Sequence, residues 1–188
     1  MLRRIILKLR LIWKLVEERI KSAIRNIPDF PKPGIQFKDI TPLFLDPILV
    51  NDMAEKVATF YASKNADCIL GIESRGFLLG PLVAQKLGIP FVMVRKKGKL
   101  PAKTISYTYD LEYGSDTIEM HEGAIKPGSK VIIHDDLLAT GGTAAAAAEL
   151  VKLAGAETLG FSFIIDLTFL NGTERLSAYA DSHSLVQF

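Results

Sequence analysis

Short apolar runs alternate with longer amphipathic segments along most of the chain. Four short apolar runs predict strands at residues 67–71, 90–94, 131–134 and 158–165. Three longer segments carry apolar residues at helical spacing and predict helices at residues 46–63, 77–87 and 143–154. Gly88 and Gly155 stand just past the ends of two of these helices, as C-terminal capping glycines do. This alternation predicts a parallel sheet with helices on both faces.

Two segments depart from the alternation. Residues 104–109 and 116–121 alternate polar and apolar side chains around Glu112, Tyr113, Gly114 and Ser115, which predicts an antiparallel hairpin. Residues 30–44 are dense in proline and glycine, which favours an ordered loop over a helix. The predicted fold class is therefore α/β: a Rossmann-like parallel sheet of about five strands flanked by helices, with a small N-terminal hood and an antiparallel hairpin with a flexible loop.

Residues 1–16 carry five basic side chains and no acidic one, with apolar residues at near-helical spacing. They predict a basic amphipathic helix that continues through Glu17, Glu18 and Ile24 and ends at the proline-containing stretch 28–33. A helix that packs on the domain or on a partner chain is the interpretation we favour. Membrane contact through residues 1–16, or a targeting role, stays open. The predicted domains are 1–29 for this helix and 30–188 for the rest, with a hood at 30–45 and a core at 46–188.

The overall composition narrows the class of protein. A chain of 188 residues with 48% hydrophobic residues can bury the core of one domain. The net charge of +2 gives no case for binding nucleic acid. The single cysteine, Cys68, excludes an internal disulfide and favours a reducing, cytoplasmic location. Because Cys68 lies in a predicted strand, we expect a buried, inert thiol.

The most informative segment is VIIHDDLLATGGTAAAAAELVKL, residues 131–153. A short strand leads to Asp135 and Asp136, expected at its carboxyl end, where open parallel sheets bind ligands. A loop of small residues then opens a helix, and its unpaired N–H groups would form a phosphate cradle. The cradle residues are Ala139, Thr140, Gly141, Gly142 and Thr143. The two carboxylates would suit ribose hydroxyls or a phosphate-bound Mg²⁺, and neither a Walker loop nor a GxGxxG fingerprint is present.

The string DDLLATGGT resembles the ribose-phosphate signature of the type I phosphoribosyltransferases, and its double leucine is most similar to the adenine phosphoribosyltransferase family. The resemblance covers residues 30–188. It implies that adenine and 5-phosphoribosyl 1-pyrophosphate react to give AMP and pyrophosphate. It also implies a homodimer and Mg²⁺ held mainly by substrate and water, with no dedicated protein metal site. His134 departs from the family, where this position is typically apolar, and we interpret it as a tolerated strand residue.

A second strand–loop–helix unit carries Glu73, Ser74, Arg75 and Gly76. An arginine at a helix N-terminus beside glycine predicts a second anion site, and the alternative is a surface arginine paired with Glu73. The resemblance implies that Ser74, Arg75 and Gly76 bind the pyrophosphate of the donor. The family often has Asp where Glu73 stands, which keeps the charge.

Residues 95–103, RKKGKLPAK, contain five basic side chains in nine positions. Such a run is usually a solvated loop, but here it follows a predicted strand and could close over a polyphosphate. The resemblance implies a flexible catalytic loop that includes Arg95, Lys96 and Lys99, in which Arg95 and Lys99 would neutralise the leaving group and Lys96 would bind substrate. It also places Glu112 and Tyr113 near the purine and the reacting carbon, with Glu112 as the candidate for proton handling.

The resemblance implies that the hood recognises the base through Ile35, Phe37 and Lys38. An aromatic ring at Phe37 could stack on a purine, or it could fill the core. The family often has Arg at Lys38, and lysine cannot make the same planar contact. Two alternative functions stay open: transfer to another base, such as xanthine, hypoxanthine, guanine, uracil or orotate, and a non-enzymatic regulator that senses the donor and binds nucleic acid.

Overall fold

The computed structural model describes the backbone of residues 2–110 and 114–188, with the side chains of residues 11–110 and 114–188. The chain forms two compact units, residues 1–56 and residues 57–188. No helix in the described part of the chain is both long enough and apolar enough to cross a membrane.

The first unit begins with helix α1 (Leu2–Ala23). Strands β1 (Arg25–Pro28) and β2 (Gln36–Asp39) then pair antiparallel, and a 3-10 helix (Thr41–Leu45) precedes helix α2 (Pro47–Tyr61). Arg19 joins α1 to the start of α2, because its guanidinium lies 2.9 Å from Asp46 and 2.8 Å from Asp52. Asp46 also caps α2 by accepting the N–H groups of Ile48 and Leu49.

Two expectations for this unit need correction. The first helix ends at Ala23, earlier than expected, because the residues that follow it extend to form β1. The segment 30–44 is not a loop throughout, since it contains β2 and most of the 3-10 helix. Pro31, Pro33 and Gly34 do stand in irregular structure, where Gly34 has a φ of +88°, whereas Pro42 lies in the 3-10 helix.

The second unit holds the large sheet. Its strands are β3 (Cys68–Ile72), β4 (Phe91–Lys96), β5 (Thr104–Asp110), β6 (Ser115–His121), β7 (Lys130–Leu138), β8 (Glu157–Asp166) and β9 (Ser182–Gln187). Its helices are α3 (Gly76–Leu87), α4 (Gly142–Leu153) and α5 (Gly172–Leu176).

The strand order is β5-β6-β4-β3-β7-β8-β9. Five strands, β4, β3, β7, β8 and β9, run parallel, and the β5–β6 hairpin adds to β4 antiparallel. The predicted fold class, with its sheet of about five parallel strands and its antiparallel hairpin, is confirmed. In the sheet, β4 lies on one side of β3, and β7, which comes later in the chain, lies on the other side. The carboxyl ends of β3 and β7 therefore flank the crevice where open α/β sheets bind ligands.

The core of this unit is formed by β3, β7, β8 and the buried face of α4. All five residues of β3 are buried, and the alanine run of α4 lets the helix pack closely against the sheet. Cys68 is buried as expected, and burial raises the pKa of its thiol to about 11. His134 is also buried, with Nδ1 3.1 Å from the hydroxyl of Ser162, and burial lowers its pKa to about 4. Its imidazole is therefore neutral at physiological pH.

Candidate active site

The turn after β3 places Arg75 at the start of α3. Arg75 is the N-cap of that helix, and the Glu73–Ser74 peptide bond before it is cis. The next residue must be small, because a Cβ on Gly76 would lie 2.7 Å from the carbonyl oxygen of His134. Glycine thus lets the N-terminus of α3 approach β7 closely. The predicted helix-mouth position of Arg75 is confirmed.

Asp135 and Asp136 lie inside β7 rather than after it. The strand was expected to end at His134, but its pairing with β8 continues to Leu138. The N–H of Asp136 donates to Oδ1 of Asp135 at 2.8 Å. Burial raises the pKa of both carboxyls, and the charge of Asp136 raises that of Asp135 further. Strand β7 accommodates Asp135 and Asp136 because its backbone stays paired with β8 while these two side chains reach the ligand crevice.

Arg75 is paired with a carboxylate of β7. Its Nε lies 3.0 Å from Oδ2 of Asp136, and this charge opposes the effect of burial on the pKa of Asp136. Oδ2 accepts no hydrogen bond of good geometry from the described residues, so the contact is an ion pair. The carboxylate therefore keeps lone pairs for a ligand hydroxyl.

Glu73 binds cationic side chains of the basic segment 95–103. Oε1 of Glu73 lies 2.6 Å from Nζ of Lys99 and 3.3 Å from Nη2 of Arg95, and the N–H of Lys96 donates to Oε2 at 3.1 Å. Burial acts to raise the pKa of Glu73, but these donors outweigh it and hold the pKa at about 2. Arg95 and Lys99, to which the resemblance gives a role on the leaving group, thus both bind the carboxylate of Glu73.

The small-residue loop joins β7 to α4. Gly141 is the N-cap of α4 and has a φ of +77°, a conformation that glycine adopts without strain. Helix α4 begins at Gly142, one residue earlier than expected, so the N–H groups of its first turn lie at the end of the loop. A cavity of about 90 Å³ is bounded by this loop. It is lined by Asp135, Ala139, Thr140, Gly141, Gly142 and Thr143, among others.

A larger cavity of about 250 Å³ lies beside the loop, at the carboxyl ends of β3 and β7. It brings together seven of the predicted site residues: Ser74, Arg75, Arg95, Lys96, Asp135, Asp136 and Thr143. Asp135 and Thr143 line both cavities, whereas Asp136 lines only the larger one. The crevice therefore combines an anion loop, two carboxylates and a group of cations.

Comparisons with known proteins agree with this arrangement. A family model for the phosphoribosyl transferase domain matches residues 45–181. The adenine phosphoribosyltransferase of Syntrophotalea carbinolica is 54% identical over 159 residues, which cover 85% of this chain and 93% of that protein. The chain belongs to the adenine phosphoribosyltransferase family.

Solved structures of the adenine phosphoribosyltransferase family share the fold. The crystal structure from Rhodothermus marinus has a TM-score of 0.88 and 50% identity, and the match covers 93% of this chain and 99% of that one. The structure from Saccharomyces cerevisiae, complexed with an imino-altritol bisphosphate and adenine, has a TM-score of 0.86 and 42% identity, with 92% of this chain and 99% of that one covered.

Gly76 and Lys99 contact residues of the crevice without lining its larger cavity. Gly76 is buried under Asp135, and Lys99 reaches the site through Glu73. Ile35, Phe37 and Lys38 belong to the first unit, where the ring of Phe37 packs edge-on against Phe30 at 5.1 Å. Glu112 and Tyr113 lie outside the described residues. The roles that the family resemblance implies for Glu112 and Tyr113 remain predictions.

The sequence did not single out three residues that line the larger cavity. Glu73 was considered only as a partner for Arg75, whereas it binds Arg95 and Lys99. Asp116 pairs with Lys96 at 3.2 Å, and Tyr109 contacts Thr143. The only sequence signal for Tyr109 and Asp116 was their place in the predicted hairpin, which does not show which loop the hairpin approaches.

Proposed function

We propose that this protein transfers the phosphoribosyl group of 5-phosphoribosyl 1-pyrophosphate to adenine, forming AMP and pyrophosphate. The observation that carries the proposal is one crevice lined by a phosphate loop, two buried carboxylates and a cation at a helix N-terminus. A ribose with phosphate at both ends needs these three kinds of group. The family membership and the adenine bound to the Saccharomyces cerevisiae relative support the choice of base.

The donor is assigned to the crevice by pairing each of its phosphate and hydroxyl groups with protein groups of complementary charge or hydrogen-bonding type. The loop Ala139–Gly141 and the first turn of α4 offer N–H groups to the 5′-phosphate, together with the hydroxyls of Thr140 and Thr143. Asp135 and Asp136 accept the 2′- and 3′-hydroxyls of the ribose. Their raised pKa values mean that a bound hydroxyl meets carboxylates that are poorly solvated, which strengthens each hydrogen bond.

Catalysis depends on stabilising the leaving group. Breaking the bond from ribose C1 to pyrophosphate leaves positive charge on the ribose and concentrates negative charge on the departing phosphates. Arg75, Arg95 and Lys99 supply the opposing charge, with Ser74, Gly76 and Lys96 lining or shaping the same loop region. No covalent nucleophile is required, because positioning and electrostatic stabilisation lower the barrier.

Glu73 organises these cations before the donor binds. It holds Arg95 and Lys99 next to the turn that carries Arg75, so they stay near the crevice rather than in solvent. Pyrophosphate carries more negative charge than one carboxylate and competes for the same donors. Glu73 thus reduces the conformational cost of assembling the cation group.

Mg²⁺ is the proposed cofactor. The carboxylate oxygens of Asp135 and Asp136 are of the type that Mg²⁺ prefers, and Oδ2 of Asp136 accepts no hydrogen bond from the described residues. These residues fit an ion that takes most of its ligands from substrate and water. When bound, Mg²⁺ would offset negative charge on the pyrophosphate.

The base and its proton are assigned by family resemblance. Ile35, Phe37 and Lys38 are the proposed contacts to adenine, and Glu112 with Tyr113 is proposed to act near the reacting carbon. If Glu112 handles a purine proton, Glu112→Ala should change the pH–rate profile. An unaltered profile would remove Glu112 from that role. We also propose a homodimer acting in the cytoplasm in purine salvage, as the resemblance implies.

Base specificity is tested by competition. The protein is mixed with donor and Mg²⁺ and with adenine, hypoxanthine, guanine, xanthine, uracil or orotate, and pyrophosphate release is followed. Adenine should give the highest kcat/KM. A higher value with another base would replace adenine as the substrate. Release of no pyrophosphate with any base would favour a donor-sensing regulator, which a gel-shift with donor present would then test.

A further inference from the structure

The antiparallel hairpin makes a polar contact with Thr143, the last residue of the phosphate loop 139–143. Oη of Tyr109, on β5, lies 3.2 Å from Oγ1 of Thr143, the second residue of α4. We propose that Tyr109 is a positioning residue: its hydroxyl donates to Thr143 and so directs the hydroxyl proton of Thr143 toward the 5′-phosphate of the ligand. This role rests on the proposed function, because it needs a 5′-phosphate in the loop.

The direction of the hydrogen bond follows from counting protons. A threonine hydroxyl has one proton and two lone pairs, and a phosphate oxygen of the bound ligand acts as an acceptor. If Thr143 gives its proton to the phosphate, it can only accept from Tyr109. A phenol is more acidic than an aliphatic alcohol, so Tyr109 is well suited to donate. The resulting chain runs from Tyr109 through Thr143 to the phosphate.

The surroundings hold Tyr109 in place for this contact. Strand β5 pairs with β6 along its whole length, with Tyr109 opposite Asp116. The ring of Tyr109 is half-buried and packs against the core cluster that includes Ala144 and Ala148. Tyr109 and Thr143 both line the larger cavity with Asp135 and Asp136. The hydroxyl is therefore presented to Thr143 by a strand rather than by a loop.

The chain itself supplies a matched control. Tyr107 lies two residues before Tyr109, so both side chains point to the same face of β5, and both pack against the same core cluster. Both tyrosines line a neighbouring cavity with Glu149 and Arg175, but only Tyr109 also lines the cavity that holds Asp135 and Asp136. The hydroxyl of Tyr107 makes no hydrogen bond with any residue that the structure describes. Removing each hydroxyl separately therefore distinguishes the contact with Thr143 from packing of the ring.

The contact also has a consequence for ligand choice. Only a ligand that carries a 5′-phosphate can use the hydroxyl chain, so donor and AMP depend on Tyr109 whereas pyrophosphate does not. Tyr109 precedes Glu112 by three residues in the sequence. The hydroxyl of Tyr109 thus connects the hairpin with the residue proposed to bind the 5′-phosphate.

The test measures dissociation constants of donor, AMP and pyrophosphate with Mg²⁺ by calorimetry for wild type, Tyr109→Phe and Tyr107→Phe. Loss of one neutral hydrogen bond should weaken donor and AMP about five-fold in Tyr109→Phe. Pyrophosphate binding and the KM for adenine should stay unchanged. Tyr107→Phe should bind all three ligands as wild type does. Thermal unfolding of both variants shows whether the fold is intact.

A double-mutant cycle completes the test. In Thr143→Val, the further change Tyr109→Phe should have no additional effect on AMP binding, because the chain is already broken. Additive effects, or normal AMP binding by Tyr109→Phe in a wild-type background, would overturn the role of Tyr109 alone. Equal weakening of pyrophosphate would also overturn it. A wild-type protein that binds neither donor nor AMP would overturn the proposed function itself.

Discussion

Nε of Arg75 lies 3.0 Å from Oδ2 of Asp136, across the crevice between β3 and β7. This ion pair connects the loop proposed to bind pyrophosphate with the strand proposed to bind the ribose. Burial raises the pKa of Asp136, and the guanidinium of Arg75 opposes that rise. A donor that engages Arg75 and Asp136 together therefore meets two groups that already lie next to each other.

Removal of Arg75 should affect catalysis more than folding. Arg75→Ala takes away one electrostatic donor to the leaving group, which typically lowers turnover about 10²–10³-fold. Steady-state kinetics with adenine and donor would measure this, and a chemical denaturation series would check the fold. Arg75→Lys keeps the charge and is the matched control, expected to retain more activity than Arg75→Ala. Near-wild-type kinetics in Arg75→Ala would remove this residue from the site.

Asp135→Asn should stabilise the protein at neutral pH and weaken donor binding. Burial, followed by the charge of Asp136, raises the pKa of Asp135 well above its ordinary value of 3.8. Because ionisation is disfavoured in the folded state, wild-type stability falls as pH rises above 3.8, and an uncharged Asn avoids that loss. The free energy of unfolding, measured from pH 3.5 to pH 7.5, should show a growing advantage for the variant. An advantage that shrinks as pH rises would contradict the raised pKa.

Glu73→Gln should show the opposite pH dependence. The donors around Glu73 hold its pKa at about 2, below the ordinary value of 4.5. A depressed pKa adds stability that is complete above 4.5 and is lost as pH falls toward 2. The stability difference between wild type and Glu73→Gln should therefore shrink from pH 6 to pH 3 in urea unfolding. A difference that stays constant over this range would mean that Glu73 is not held by Arg95 and Lys99 in solution.

Gly172→Ala should disturb the phosphate loop from a position outside the crevice. A Cβ at Gly172 would press on the carbonyl oxygen of Ala139 and come within 2.8 Å of Leu138. Overpacking of this kind costs about 1–3 kcal/mol of stability. Because the backbone of Ala139 must move, donor binding should weaken as well.

Gly80→Ala is the control for that prediction. Its Cβ would meet the ring of Phe91 at 2.6 Å, so it should lower stability through the core while the phosphate loop stays in place. Unfolding and donor titration of the two variants measure both effects. Equal donor affinity in Gly172→Ala and Gly80→Ala would show that α5 does not support the loop.

The sequence predicts the local units of this fold well. The unit β7–loop–α4 could be predicted because a β-branched run, two glycines and a helix-forming run follow one another within one segment. The end of β7 could not, because Asp135 and Asp136 interrupt the apolar pattern while their backbone stays paired with β8. Strand β9 was also not predicted, since only Leu185 and Val186 of its residues are buried.

The contacts that assemble the site depend on sheet register. Glu73 lies 26 residues from Lys99, and Tyr109 lies 34 residues from Thr143. Such pairs form only after β3 and β4 align and the β5–β6 hairpin joins the sheet. Local patterns identified the residue types of the site, whereas the partner of each charge required the tertiary structure.

The central claim is phosphoribosyl transfer to adenine in this crevice. The most direct measurement is chromatographic quantification of AMP and pyrophosphate from adenine, donor and Mg²⁺, in wild type and in Arg75→Ala. Wild type should form the two products in equal amounts and only when both substrates are present, with much slower formation in Arg75→Ala. Pyrophosphate without AMP, or no product from wild type, would contradict the account.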